Sequence, residues 1–213
     1  MTARKANTPT LTCQQIVATA MEIVDRDGLD ALSMRSLASE LGVGTMSLYY
    51  HVRDKTALHD LILDAVMSEV NLTAHDPNGQ PRERVACIAR AFRAALLEHP
   101  NVTPIAAARP MRTPAQLRPV EAMLSVLLDA GLEPAEAMRA VNVIGQFVVG
   151  TATILASQMA ESGGPGDQIE IDPAEFPGLL AALSGSEEVD WDADFEAGLA
   201  ALVDGLVPGR VGS

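Results

Sequence analysis

A chain of 213 residues with 48% hydrophobic but only 3% aromatic side chains has to build its interior from Ala, Leu, Val, Ile and Met. That suits closely packed helices and argues against a β-rich fold. The formal charge of −13 argues against a uniformly basic nucleic-acid coat, and Cys13 and Cys87, far apart and without CxxC or Cys/His spacing, read as buried thiols of a reducing compartment.

The length allows a small head and a larger body. No apolar leader opens the chain and no run approaches the roughly 20 apolar residues of a membrane span, so a soluble cytoplasmic protein outside any membrane is expected. The charge is unevenly spread. In residues 1–55, Arg4, Lys5, Arg26, Arg35, Arg53 and Lys55 balance Glu22, Asp25, Asp27, Asp30, Glu40 and Asp54, so the whole surplus of −13 falls on residues 56–213.

Residues 1–11 form a polar arm. Thr12 and Gln15 stand at capping-box spacing and open a helix over 12–27 with an apolar stripe of Ile16, Val17, Ala20, Ile23 and Val24, stopped by Gly28. Ser33 caps a second helix, with Met34, Leu37, Ala38 and Leu41 inward. Gly42 supplies the left-handed turn that ends it. Val43 fills the corner, and a third helix over 46–51 is anchored from below by Leu48 and Val52. This is a helix-turn-helix. Its outward set is Thr45, Met46, Ser47, Tyr49, Tyr50 and His51, which offers methyl, hydroxyl and ring contacts to bases or phosphates. Asp54 caps the next helix, and Lys55 in its first turn is the wrong sign for the helix dipole unless a phosphate lies beside it.

The run Gly42-Val43, Leu48-Tyr49-Tyr50-His51-Val52, Asp54-Lys55 and Leu58 resembles the signature of the TetR family, the tetracycline-repressor-like regulators. The resemblance implies an all-α fold, a helical DNA-binding head on a larger ligand-binding and dimerisation body, and DNA contacts at Arg35, Thr45, Met46, Ser47, Tyr49, His51 and Lys55, beside which Tyr50 is also exposed.

The expected division is an arm (1–11), a DNA-binding head (12–54), a connecting helix (55–72) and a body (73–213). The connecting helix turns Leu58, Leu61, Ile62, Ala65, Val66 and Val70 toward head and body. His75 to Gln80 is a turn cluster. Pro81 starts a helix to about His99, residues 101–114 with three prolines hold only a short helical piece, and a further helix covers 114–130 up to Gly131. The longest helix, about 135–159, is apolar nearly all round and therefore needs a second surface, most simply another copy of the chain. An acidic loop (162–172), a short helical piece (174–183) and a final helix (191–207), with Phe195, Leu199, Leu202, Val203 and Leu206 in a row, complete the chain. The final helix is a second candidate for the seam of a homodimer.

Phe92-Arg93, Ala95-Leu96-Leu97, Arg109-Pro110, Gly131, Phe147 and Gly150 are similar to the tetracycline-repressor branch. That branch holds a magnesium-drug chelate with a histidine before the Arg-Pro turn and a glutamate in the long helix. Here residues 103–108 contain no histidine and Ile154 stands at the glutamate's place, so neither a metal nor any other cofactor is expected. The expected effector pocket is apolar, lined by Phe92, Ile105, Met111, Met123, Leu127 and Phe147, with Arg109, Asn142 and Gln146 to orient a small molecule. The reading is a repressor that binds a palindromic double-stranded operator and releases it on binding an apolar effector. The alternatives are a DNA-binding regulator without an effector, an activator, or an all-α enzyme, although none of the four histidines or two cysteines stands in a catalytic or metal-ligand spacing.

Overall fold

The computed structural model describes residues 11–73, 76–161, 172–185 and 189–208. Most of the arm, His75, most of the acidic loop and the last five residues lie outside them. Ten α-helices and no strand occur among the described residues.

Helix α1 (Cys13–Asp27) begins in a complete capping box, in which the Thr12 hydroxyl accepts from the Gln15 N–H and the Gln15 side chain accepts from the Thr12 N–H. Cys13, in its first turn, is exposed, and Cys87 is half-buried; the expectation of two buried thiols fails because Cys13 faces away from the stripe Ile16, Ala20, Ile23 and Val24. Helix α2 (Met34–Glu40) repeats the device with Ser33 and Ser36. Gly42 then takes φ +65°, a region an L side chain enters only at a cost, and the chain redirects into α3 (Thr45–Tyr49). Leu48 and Val52 close the underside of α3 with no appreciable exposure.

Helix α4 (Lys55–Glu69) packs on α1 of the head and on α5, α6 and α7 of the body. It ends before the expected Leu72, because Val70 adopts an extended backbone. Helix α5 (Pro81–Glu98), the short α6 (Thr103–Ala108) and α7 (Pro114–Asp129) follow. Helix α8 (Pro134–Glu161) starts at its proline, where the missing N–H costs nothing. Over Pro134–Met159 it is long and apolar enough to cross a membrane by length and composition alone, contrary to the sequence expectation. Its buried residues Ala137, Ala140, Val141, Ile144, Val148 and Ala152 instead face a helical core, against α5, α6, α7 and α10. Helix α9 (Pro177–Gly185) and α10 (Trp191–Leu206) complete the described fold.

Three arginines of α5 fasten α10. Arg82 donates to Asp204 and to the Val207 carbonyl, Arg90 grips Glu196 through Nε and Nη2, and Arg93 pairs with Asp192 while lying 4.4 Å above the Phe195 ring. Phe195 stacks on Phe147 of α8 at 5.5 Å.

Candidate nucleic-acid interface and ligand cavity

The helix-turn-helix presents the outward set that its pattern dictates. Leu48 and Val52 occupy the inward positions, so the intervening side chains must face out. Arg35, Thr45, Met46, Ser47, Tyr49, Tyr50, His51 and Lys55 are all exposed, Met46 at 72% and Tyr50 at 88%. Exposure of large apolar and aromatic side chains to this degree, together on a five-residue helix, costs free energy in the isolated chain and is recovered on a partner. Asp54 caps α4 by accepting the Ala57 N–H at 2.8 Å. That N–H, and then the Arg53 guanidinium, holds its carboxyl below the usual carboxylate range. The Arg53 side chain is 84% exposed, a third cation beside Arg35 and Lys55 on this surface. It was passed over in the sequence because the motif match skips it; the charge pattern Arg53-Asp54-Lys55 was the signal that pointed to it.

From Lys55, α4 runs into a polar junction with the body. Asp60 accepts two hydrogen bonds from Arg109, from Nε at 3.1 Å and from Nη2 at 2.6 Å. One turn further, Asp64 accepts from the Thr113 hydroxyl and from Gln116 Nε2 at 2.7 Å. His59, next to Asp60, has a buried Nε2 without a hydrogen-bond partner among the described residues. Burial first, then repulsion from Lys55 and Arg109, lowers its pKa. A second junction joins the end of α5 to the head. His99 lies between Asp25 of α1 and Glu69 of α4, with both contacts at 3.1 Å, and Asn101 donates to the Val24 carbonyl.

Between α5, α6, α7 and α8 the body holds a cavity of about 710 Å³. Its wall is mainly apolar, with Phe92, Met111, Leu117, Val120, Met123, Met138 and Val149 among its residues. Arg109, Asn142 and Gln146 are the polar ones, so six of the nine residues expected from the sequence meet here. The other three do not line it. Ile105 and Leu127 are buried in the core, and Phe147 turns to α10. Ile105 and Phe147 depart for a reason of helical phase: one residue is about 100° of rotation, so Ala106 and Ala107 face the space and Ile105 does not, and Gln146 faces it while Phe147 does not. Leu127 lies one turn beyond Met123, deeper in the bundle. The sequence reading missed Pro119, which sits inside α7 and on the wall, and the small residues Gly145 and Gly150, whose lack of side chain leaves room.

Residues 16–61 match the model of the bacterial regulatory proteins of the tetR family, and residues 73–208 match the tetracyclin repressor-like C-terminal domain. The chain belongs to the TetR family. It is 34% identical over 203 residues to an HTH-type transcriptional regulator of Saccharopolyspora erythraea, covering 93% of this chain and 85% of the relative. It is 34% identical over 198 residues to the class A tetracycline repressor of Escherichia coli, covering 92% and 90%. The fold is similar to that of the Streptomyces coelicolor TetR family protein ActR in complex with actinorhodin, with TM-score 0.79, 33% identity and coverage of 92% and 96%. The relatives are named as transcriptional regulators and repressors, and this TetR-family chain is accordingly a DNA-binding, ligand-binding transcriptional regulator.

Proposed function

We infer that the protein is a cytoplasmic, homodimeric repressor that holds a palindromic operator with two copies of α3 and lets go when a small, largely apolar molecule fills the cavity, without a divalent metal. The observation that carries this reading is the continuity of α4: Lys55 at one end stands on the DNA-facing surface, and five residues on, Asp60 is bonded to Arg109 of the cavity wall. A dimer must hold its recognition helices roughly 34 Å apart to enter successive major grooves, and a shift of α4 in each subunit changes that spacing. A bias of about 1–3 kcal/mol is enough.

Homodimerisation is supported by the large apolar side chains left exposed late in the chain, Ile154 and Met159 of α8, Leu179 and Leu183 of α9, and Val189. The ligand class is supported by the apolar wall and by the complex of ActR with actinorhodin. The metal-free reading is supported by Ile154, which provides no oxygen, and predicts that EDTA leaves effector response unchanged.

The test is fluorescence anisotropy with duplexes tiled across the protein's own promoter, with sedimentation to set the stoichiometry. One dimer on one two-fold symmetric duplex, released by at least one member of a panel of apolar small molecules, is the expected result. A monomer, or equal affinity for every duplex, refutes the reading. His51→Ala and Tyr49→Ala should weaken operator binding and leave the dimer intact; dimer dissociation in either would mark the residue as structural.

A further inference from the structure

Among the described residues Arg109 is the one charged side chain on the cavity wall, and its use in the structure is lopsided. Nε and Nη2 both converge on a single oxygen of Asp60, Oδ1, while Nη1 has no hydrogen bond to any described residue and neither does Asp60 Oδ2. A guanidinium carries five N–H donors in a planar fork, and its strongest mode is two parallel bonds to the two oxygens of one carboxylate. Here that mode is unfilled. Both partners are largely sheltered, with side chains 18% and 23% exposed, so the pair is weakly screened and a second anion brought beside it through the cavity competes directly with Asp60.

We propose that the effector carries a carboxylate, or a comparably anionic acceptor, on an apolar skeleton, and that it acts by taking Arg109 from Asp60. The inference rests on the reading of the cavity as an effector site. The consequence for the head follows from what stays in place. Asp64, one turn along α4, keeps its bonds to Thr113 and Gln116, so loss of the Asp60 bond frees the Lys55 end of the helix while its middle remains pinned. The helix turns about Asp64. An apolar molecule without the anionic group fills the same space and leaves the Asp60 bond standing, so it binds without releasing DNA.

The experiment uses the full-length protein, pyrenebutyrate and its neutral amide as fluorescent probes, and a labelled promoter duplex. The wild type is expected to bind the acid about tenfold more tightly than the amide, and only the acid should displace the duplex. In Arg109→Gln the acid should lose its advantage, the two probes binding within about twofold of each other, and retained saturable binding of the amide shows the cavity intact. In Asp60→Asn the acid should gain about threefold because its competitor is gone. Equal affinities in the wild type, a preference that survives Arg109→Gln, or duplex release by the amide would each overturn the proposal. If neither probe binds although the promoter duplex does, the cavity is not an effector site and that reading falls as well; if no duplex is bound, the repressor reading fails independently of the probes.

Discussion

Leu48 has no exposed surface and stands in the middle of a helix of five residues, so most of what fixes the reading surface passes through one side chain. Leu48→Ala is expected to cost about 2–5 kcal/mol, the range for buried leucine truncations, measured by urea unfolding, and to abolish selective operator binding before it abolishes the fold of the body. An unchanged unfolding midpoint would mean that α3 is held by something else. His59 gives a pH signature. Its pKa in the folded chain is lowered, so below about pH 6.5 the unfolded chain takes up the proton first and stability falls as pH falls, levelling off below the folded pKa. His59→Leu removes the unpartnered nitrogen and should flatten that part of the melting-temperature profile. A slope that persists in the variant assigns it to another group. At this scale the sequence was informative wherever helix periodicity fixed an inside, as at Leu48 and Val52. It was silent at His59, because Lys55 and Asp60 adjoin it on α4 but Arg109 reaches it only after the chain following α6 folds back on α4.

Gly42 shows how far a single turn sets an element. With φ +65°, Gly42→Ala is expected to lose about 1–2 kcal/mol by tilting or fraying α3, read as lower thermal stability together with weaker operator binding. The staple between α5 and α10 is a weaker kind of device. Arg90 and Glu196 are each about half exposed at 51% and 47%, so a double-mutant cycle with alanine should return only about 0.2–1 kcal/mol despite the bidentate geometry; a much larger coupling would mean that the pair is desolvated by a second subunit. Helix starts were legible where a capping residue or proline marks them, as at Thr12, Ser33, Asp54 and Pro81. Helix ends without glycine, such as that of α4, were not. The cavity was legible in the residues whose helical phase agreed with their apolar neighbours, Phe92, Met111 and Met123. It was misread at Ile105 and Phe147, where one position of rotation separates the wall from the core and composition does not distinguish the two.

Taken whole, the molecule carries its charge surplus away from the reading end. The head to residue 55 is balanced and the rest bears the net −13, and among the described residues the exposed cations near the expected duplex are Arg35, Arg53 and Lys55. A slope of log affinity against log salt of only a few units is therefore expected, close to −0.9 for each phosphate neutralised; a slope near zero would count against docking through this face. The exposed apolar residues of α8 were only partly legible in the sequence, since periodicity marks that helix as apolar all round but does not say which side its own chain leaves bare.

The notch at Gly198 bears on how such a molecule yields. A Cβ there would come within 2.5 Å of the Phe147 ring edge, so the phenyl group is keyed into α10 like a pawl in a tooth, and the three arginines of α5 bolt the same helix from the other side. The long flank of the chamber is thus α8, keyed to α10 through Phe147. Across the chamber stand the six residues of α6 leading into a proline-bearing helix, and under the proposed effector reading that shorter side, in contact with α4, is the one expected to give way.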